Sequence, residues 1–150
     1  MLLQKYFESR MQMIEDGLAQ ALEFDKRHAV TLKEAMRKAV IPGGKRWRPL
    51  LLISIYEMLT GLKKNNKQLP DAIHAACAVE LIHNAAMIHE DMPSVMNHKE
   101  RRGLPATHQE YGNVVAILAA DALYSLAFEQ LGQIKDAKKG AEAIRSLAIN

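Results

Sequence analysis

Three groups of side chains in this sequence have the types and spacing to act on an anion. The first closes a stretch rich in alanine and methionine, where His83, Met87, Glu90 and Asp91 follow one another. At about 100° per residue they fall on one helical face. A histidine and two carboxylates are costly to bury unpaired, so this face is expected to look into a polar crevice. The alternative is a solvated helix end, where the helix dipole opposes a carboxylate. The second group is Gly43-Gly44-Lys45-Arg46-Trp47-Arg48-Pro49. Two glycines with accessible amides, three cations and a nearby helix start suit an anion. The alternative is an ordinary helix-start loop with solvated arginines. No GxxxxGK[ST] spacing is present, so this is not a Walker loop. The third is the pair Arg101-Arg102, ten and eleven residues after Asp91. Asp121, inside the apolar run LAADAL, is a further candidate. Such a carboxylate needs a basic partner or the same crevice, unless it is partly exposed.

Other chemistries lack support. His74, Cys77, His83, His89 and His98 show no repeated short Cys/His spacing of a zinc site. Cys77 stands in an alanine-rich run with no nucleophile elbow, which argues against a hydrolase.

The elements that must position these groups read as helices. Leu3, Tyr6, Phe7, Met11, Ile14, Leu18 and Leu22 make one stripe of a helix over residues 2–24. A second helix fits residues 31–40, with Thr31 as N-cap and Glu34 as capping-box partner, stopped by Pro42-Gly43-Gly44. A third, residues 48–59, is apolar almost all round and is expected to be buried on most sides. A polar loop over residues 61–69 leads to Pro70, the expected first residue of a long helix to Asp91. Pro93 ends that helix and a polar loop follows. Asn113 is the expected cap of a helix to Leu131. The last segment, residues 136–148, sets Ala141, Ile144, Leu147 and Ala148 on one side. The expected fold is all-α, one domain of about six helices over residues 1–150.

The 150 residues suffice for a single core, and low aromatic content (5%) with many alanines and leucines favours helix. The net charge of +3, without a dense basic face, gives no footprint for nucleic acid. One cysteine rules out an internal disulfide, and the charged N-terminal stretch does not read as a signal peptide. A cytoplasmic setting is expected. No apolar run of ~18 residues is seen, so no membrane-spanning segment is expected.

Four blocks carry a resemblance. GGKRWRP at residues 43–49, ELIHNAAMIHED at 80–91, ERRGLPATH at 100–108 and ILAADALYSLAFE at 117–129 resemble the trans-isoprenyl diphosphate synthases, such as the farnesyl and geranylgeranyl diphosphate synthases. The resemblance implies half of an all-helical barrel, the N-terminal half of the family's domain. It implies joining of isopentenyl diphosphate to an allylic diphosphate with Mg2+. Carried over, Gly44, Lys45, Arg48, His83 and Arg102 are the isopentenyl diphosphate contacts, and Arg101 the allylic diphosphate contact. Ala85 and Ala86 take the place of the residues that set product length, and two alanines leave that tunnel open. The family's first metal motif reads DDxxxxD. Here Glu90 and Asp91 begin it, but Met96 stands at its last aspartate, and the neutral Asn97 is one position off. The second aspartate-rich motif is expected in the half not represented.

The resemblance therefore implies a chain inactive alone, acting as the accessory small subunit of a heteromer with a catalytic synthase. One alternative is a split prenyltransferase active when complemented. Another is a free-standing helical module that binds a diphosphate without chemistry. Homo-oligomerisation could also cover an exposed apolar flank.

Overall fold

A computed structural model describes residues 2–24, 29–41, 43–61 and 69–149. Six helices follow in order: α1 (Leu2–Ala21), α2 (Val30–Val40), α3 (Trp47–Thr60), α4 (Leu69–Asp91), α5 (Thr107–Gly132) and α6 (Ala137–Ile149). Pro42, most of the 61–69 connection and the side chain of Leu3 lie outside what is described.

The long helix α4 is the axis of the bundle. It packs chiefly against α5, then α3 and α1, while α2 lies mainly on α5. Its alanines explain this centrality. Ala72, Ala76, Ala78 and Ala85 are buried, and their small side chains let neighbouring helices approach closely. From α1, Ile14, Leu18 and Leu22 reach the core, as their spacing predicts, while Tyr6, Phe7 and Met11 are half-buried.

Several boundaries differ from the sequence reading. Helix α2 begins at Val30 with Ala29 as N-cap, and no side chain caps it. Thr31 is thus already inside the helix and the capping box does not form. Helix α5 begins at Thr107, but Gly112 (φ 80°) breaks its regularity. Asn113 follows that break instead of forming it, because glycine reaches positive φ without a Cβ penalty. By length and composition α5 is long and apolar enough to cross a membrane, which the search for an unbroken apolar run missed. Its buried residues pack against α4 and α2 as those of a core helix do.

Helix α3 is not buried on most sides. Leu50, Ile53 and Glu57 face inward, whereas Trp47, Leu51, Ile55, Met58 and Leu59 are exposed. On α5, Val114, Ile117 and Leu118 are exposed as well. Of the α6 stripe, Ile144 and Leu147 are half-buried, but Ala141 and Ala148 stay in solvent.

The polar loop after α4 holds a surprise for an all-α chain. Residues Glu100–Arg101 (β1) and Leu104–Pro105 (β2) pair antiparallel, Arg101 opposite Leu104. The two residues between them, Arg102 and Gly103, have φ of 56° and 73°. Positive φ at both central positions marks the type I′ hairpin turn, whose twist matches the strands.

Candidate functional site

The hairpin doubles back onto the last turns of α4 and aims its two arginines in different directions. Arg101 settles on Asp91. Its Nε donates to Oδ2 at 2.6 Å and its Nη2 to Oδ1 at 2.7 Å. His98 Nδ1 lies 2.9 Å from the same Oδ1. Asp91 is buried, which alone would raise its pKa, but hydrogen bonds from Arg101 and His98 outweigh burial and hold the carboxyl below its ordinary value. Glu90 is less engaged, half-exposed with its Oε1 3.8 Å from Arg101 Nη2.

Arg102 turns toward α4 and the loop before α3. Its Nη2 donates to Asn84 Oδ1 at 3.2 Å. A Cβ on Gly44 would stand 3.1 Å from that same Nη2, so the bare glycine backbone is what lets the guanidinium lie there. Asn84 is itself fixed. Its Nδ2 donates to the Glu80 carbonyl at 2.7 Å and to Glu80 Oε1 at 3.3 Å. Glu80 in turn accepts from Arg46 Nη1 at 2.8 Å.

Arg46 thus has a different role from the one its sequence neighbours suggest. Its backbone is left-handed (φ 49°), and its side chain points inward, 2% exposed. It donates to Glu15 Oε1 at 2.8 Å, to Glu15 Oε2 at 3.2 Å and to the Val40 carbonyl at 2.6 Å, besides Glu80. Burial works against its charge, but the bonds to Glu15 and Glu80 outweigh it and raise its pKa. The three-cation cluster therefore reduces to Lys45 and Arg48. Both are exposed, and among the described residues neither has an ion-pair partner.

His83 is half-buried beside these cations. Burial, then Arg48, then Arg102 and Arg101 push its pKa below the ordinary histidine value, with Glu80 opposing, which favours the neutral imidazole. Gly44, Arg48, His83, Arg101 and Arg102 are thus one neighbourhood, with Lys45 next in the chain to Gly44. Unpaired lysine and arginine charges suit diphosphate oxygens, and guanidiniums can bind them bidentately.

Asp121 is not part of it. It is exposed, with Oδ1 3.7 Å from His89 Nε2, and no lysine or arginine partners it among the described residues. The carboxylate in the apolar run points out of the bundle, where burial demands no cation. Ala85 is fully buried and Ala86 half-buried. Sequence reasoning missed Asn84 and Glu80. The available signal was their i, i+4 spacing, polar residues stacked on a buried helix face.

The Polyprenyl synthetase family pattern matches residues 29–149. The chain belongs to the polyprenyl synthetase family. It is 40% identical over 126 residues to the chloroplastic large subunit 1 of a heterodimeric geranylgeranyl pyrophosphate synthase of Arabidopsis thaliana, covering 84% of this chain and 32% of that protein. Its fold matches a crystal structure of an FPP/GFPP synthase from Zymomonas mobilis with a TM-score of 0.86 and 36% identity, over 98% of this chain and 52% of that one. It also matches a geranyltransferase from Helicobacter pylori complexed with magnesium and isoprenyl diphosphate, with a TM-score of 0.76 and 30% identity, over 87% of this chain and 43% of that one. This polyprenyl synthetase chain thus spans about a third of the length of the curated relatives it matches and about half of the solved chains. The six-helix, all-α architecture is that of about half of an isoprenoid synthase.

The Helicobacter pylori geranyltransferase is complexed with magnesium, but the donors described in this chain do not fit the ion. Magnesium needs hard oxygens in near-octahedral array. Both oxygens of Asp91 are taken by Arg101 and His98. Met96 offers an exposed thioether, a poor ligand for so hard a cation. Asn97 Oδ1 accepts a hydrogen bond from Lys99 Nζ at 3.0 Å. Of the motif's own residues, Glu90 presents a carboxylate that is not fully engaged. Among the described residues no group of three metal-binding side chains comes together.

Proposed function

We propose that this polyprenyl synthetase chain holds a diphosphate with Lys45, Arg48, His83 and Arg102, does not ionise an allylic diphosphate alone, and acts as the small accessory subunit of a catalytic synthase. The observation that carries the reading is the division of charge at the site. Asp91 is neutralised by Arg101, while Lys45 and Arg48 stand unpaired among the described residues. Ionising an allylic diphosphate needs strong stabilisation of the departing charge, which a metal ordinarily supplies in this family. Cations without that metal suffice to bind a diphosphate but not to release one.

Two further features support a partner. Eight large apolar side chains of α3 and α5 stand exposed, and a partner would cover them. One relative carries heterodimeric assembly in its name. In such an assembly, Ala85 and Ala86 belong to the wall past which the product grows, and their small size favours a long product. A cytoplasmic setting is part of the proposal.

The test is incorporation of labelled isopentenyl diphosphate with Mg2+ and an allylic diphosphate. The chain alone is expected to give none. Mixed with a full-length synthase, it is expected to co-elute and to change rate or product length. Turnover by the chain alone sinks the proposal. Turnover only with a complementing C-terminal half replaces it with a split enzyme, which the retained phosphate contacts would suit. Diphosphate binding without partner or turnover replaces it with a binding module.

A further inference from the structure

Arg101 and Arg102 share a hairpin, yet one rests on a carboxylate and the other on an amide. We infer that Asn84 is a positioning residue whose neutral side-chain oxygen orients Arg102 toward an anion while leaving the arginine's charge unspent. The inference rests on the diphosphate reading of this site and adds a residue that touches no substrate.

The geometry argues the point from both ends. Asn84 is 2% exposed and has no freedom to swing, because its Nδ2 is anchored on the Glu80 carbonyl at 2.7 Å. That anchor settles its amide orientation. With Nδ2 on the Glu80 oxygens, Oδ1 must face Arg102. Glu80 is held by the buried Arg46, so the amide stands on a rigid base. At the other end Arg102 has a left-handed backbone, rare for a residue with a side chain. Such strain persists where surrounding contacts over-determine it. Here the Asn84 bond and the bare Gly44 backbone both define where the guanidinium lies. Only one nitrogen of the fork is used by Asn84, so the remaining donors are available to phosphate oxygens.

An amide suits this task better than a carboxylate. A buried carboxylate in its place would pair with Arg102 as Asp91 pairs with Arg101, and an incoming anion would have to compete with it. An apolar side chain would leave the long arginine to explore many rotamers, an entropy that binding must then remove.

The experiment compares wild type with Asn84→Ala and Asn84→Asp, each titrated with inorganic pyrophosphate by calorimetry. The titration of His83 is followed by NMR in wild type and Asn84→Ala. Arg48, Arg101, Arg102 and Glu80 all act on that imidazole, and of these Arg102 and Glu80 are hydrogen-bonded to Asn84. Loss of Arg102 raises the His83 pKa whereas loss of Glu80 lowers it, so the direction of the shift tells the two apart. Asn84→Ala is expected to raise the pyrophosphate Kd by about five- to tenfold, the usual scale of one lost hydrogen bond. It is also expected to move the His83 pKa upward as Arg102 drifts away. Asn84→Asp, the same shape with a charge, is expected to weaken pyrophosphate at least as much. Leu131→Ala, a core truncation near the far end of α5, is expected to lower stability with the His83 titration unmoved.

An Asn84→Asp chain that binds pyrophosphate as tightly as wild type overturns the inference. So does an Asn84→Ala chain with both Kd and His83 unchanged. If wild type binds no pyrophosphate while Asn84→Ala still shifts His83, the clamp stands and the diphosphate reading falls. If wild type binds none and His83 does not move, both fall.

Discussion

Consecutive arginines of one tight turn meet opposite fates here. Arg101 gives two short hydrogen bonds to a buried carboxylate, and the pair cancels its own charge. Arg102 gives one longer bond to a buried amide and keeps its charge. The difference arises because Arg101 is the last residue of β1, whereas Arg102 lies in the turn, where its left-handed backbone sends the side chain elsewhere. The strand residue meets α4 at its last residue, Asp91, and the turn residue meets it two turns earlier, at Asn84. The lesson is that a basic dipeptide is not one functional unit. Its partners decide whether each charge remains available.

The largest expected effect breaks the Arg102 side at its base. Glu80→Gln removes a carboxylate that is 3% exposed and leaves Arg46, whose side chain is fully buried, with Glu15 as its remaining carboxylate besides the Val40 carbonyl. Breaking one member of a buried ion pair costs about 3–5 kcal/mol. The remaining Glu15 pair places this change at the lower end. Chemical denaturation measures it, and pyrophosphate affinity should fall too, because the base under Asn84 is disturbed. Stability within 1 kcal/mol of wild type would show that Arg46 needs only Glu15.

A smaller effect inverts the Arg101 side. Asp91→Asn keeps the shape and removes the charge, giving Arg101 the kind of partner that Arg102 has. The cost at pH 7 is about 1–3 kcal/mol, the scale of a lost charged hydrogen bond. Its pH dependence has a definite sign. The Asp91 carboxyl is held below its ordinary value in the folded chain. Its contribution is therefore complete above the unfolded pKa, about 3.9, and is lost as the pH falls through the lower folded value. Denaturation of wild type and variant should differ at pH 7 and converge in strong acid. Pyrophosphate should bind the variant more tightly, since a second guanidinium is released. Weaker binding would mean that the Asp91 pairing holds Arg101 in its working position.

Much of this comparison was legible in the sequence, and the illegible part has physical reasons. The helices follow from alanine, leucine and their periodicity, and the arginine pair and Asp91 are visible as types. The hairpin is not, because its turn is Arg-Gly instead of the Asn-Gly or Asp-Gly that would announce it. Nor is the inward turn of Arg46, which depends on a left-handed backbone that spacing does not encode. The exposure of α3 escaped for another reason. An all-round apolar helix reads as buried only if the whole fold that surrounds it is present, and this chain matches about half of its structural relatives. Asp121 misled in the opposite direction, since a polar residue in an apolar run can mark the outward face.

The smallest expected effect sharpens the comparison without touching either partner. Gly44→Ala adds one methyl group 3.1 Å from Arg102 Nη2 and 3.3 Å from its central carbon. Gly44 is not among the glycines with positive φ, so alanine is free of backbone strain there. The neighbour that must yield is the end of a flexible side chain. Stability should therefore stay within about 0.5 kcal/mol of wild type, the range of a surface substitution. Pyrophosphate affinity should nevertheless fall by about two- to fivefold, because Arg102 is displaced from the orientation Asn84 gives it. The Arg101–Asp91 pair lies away from this methyl group, so the acid dependence of stability should be unchanged. A Gly44→Ala chain with wild-type affinity would mean that Arg102 binds its anion from a range of positions, and that its single bond to Asn84 is a resting contact.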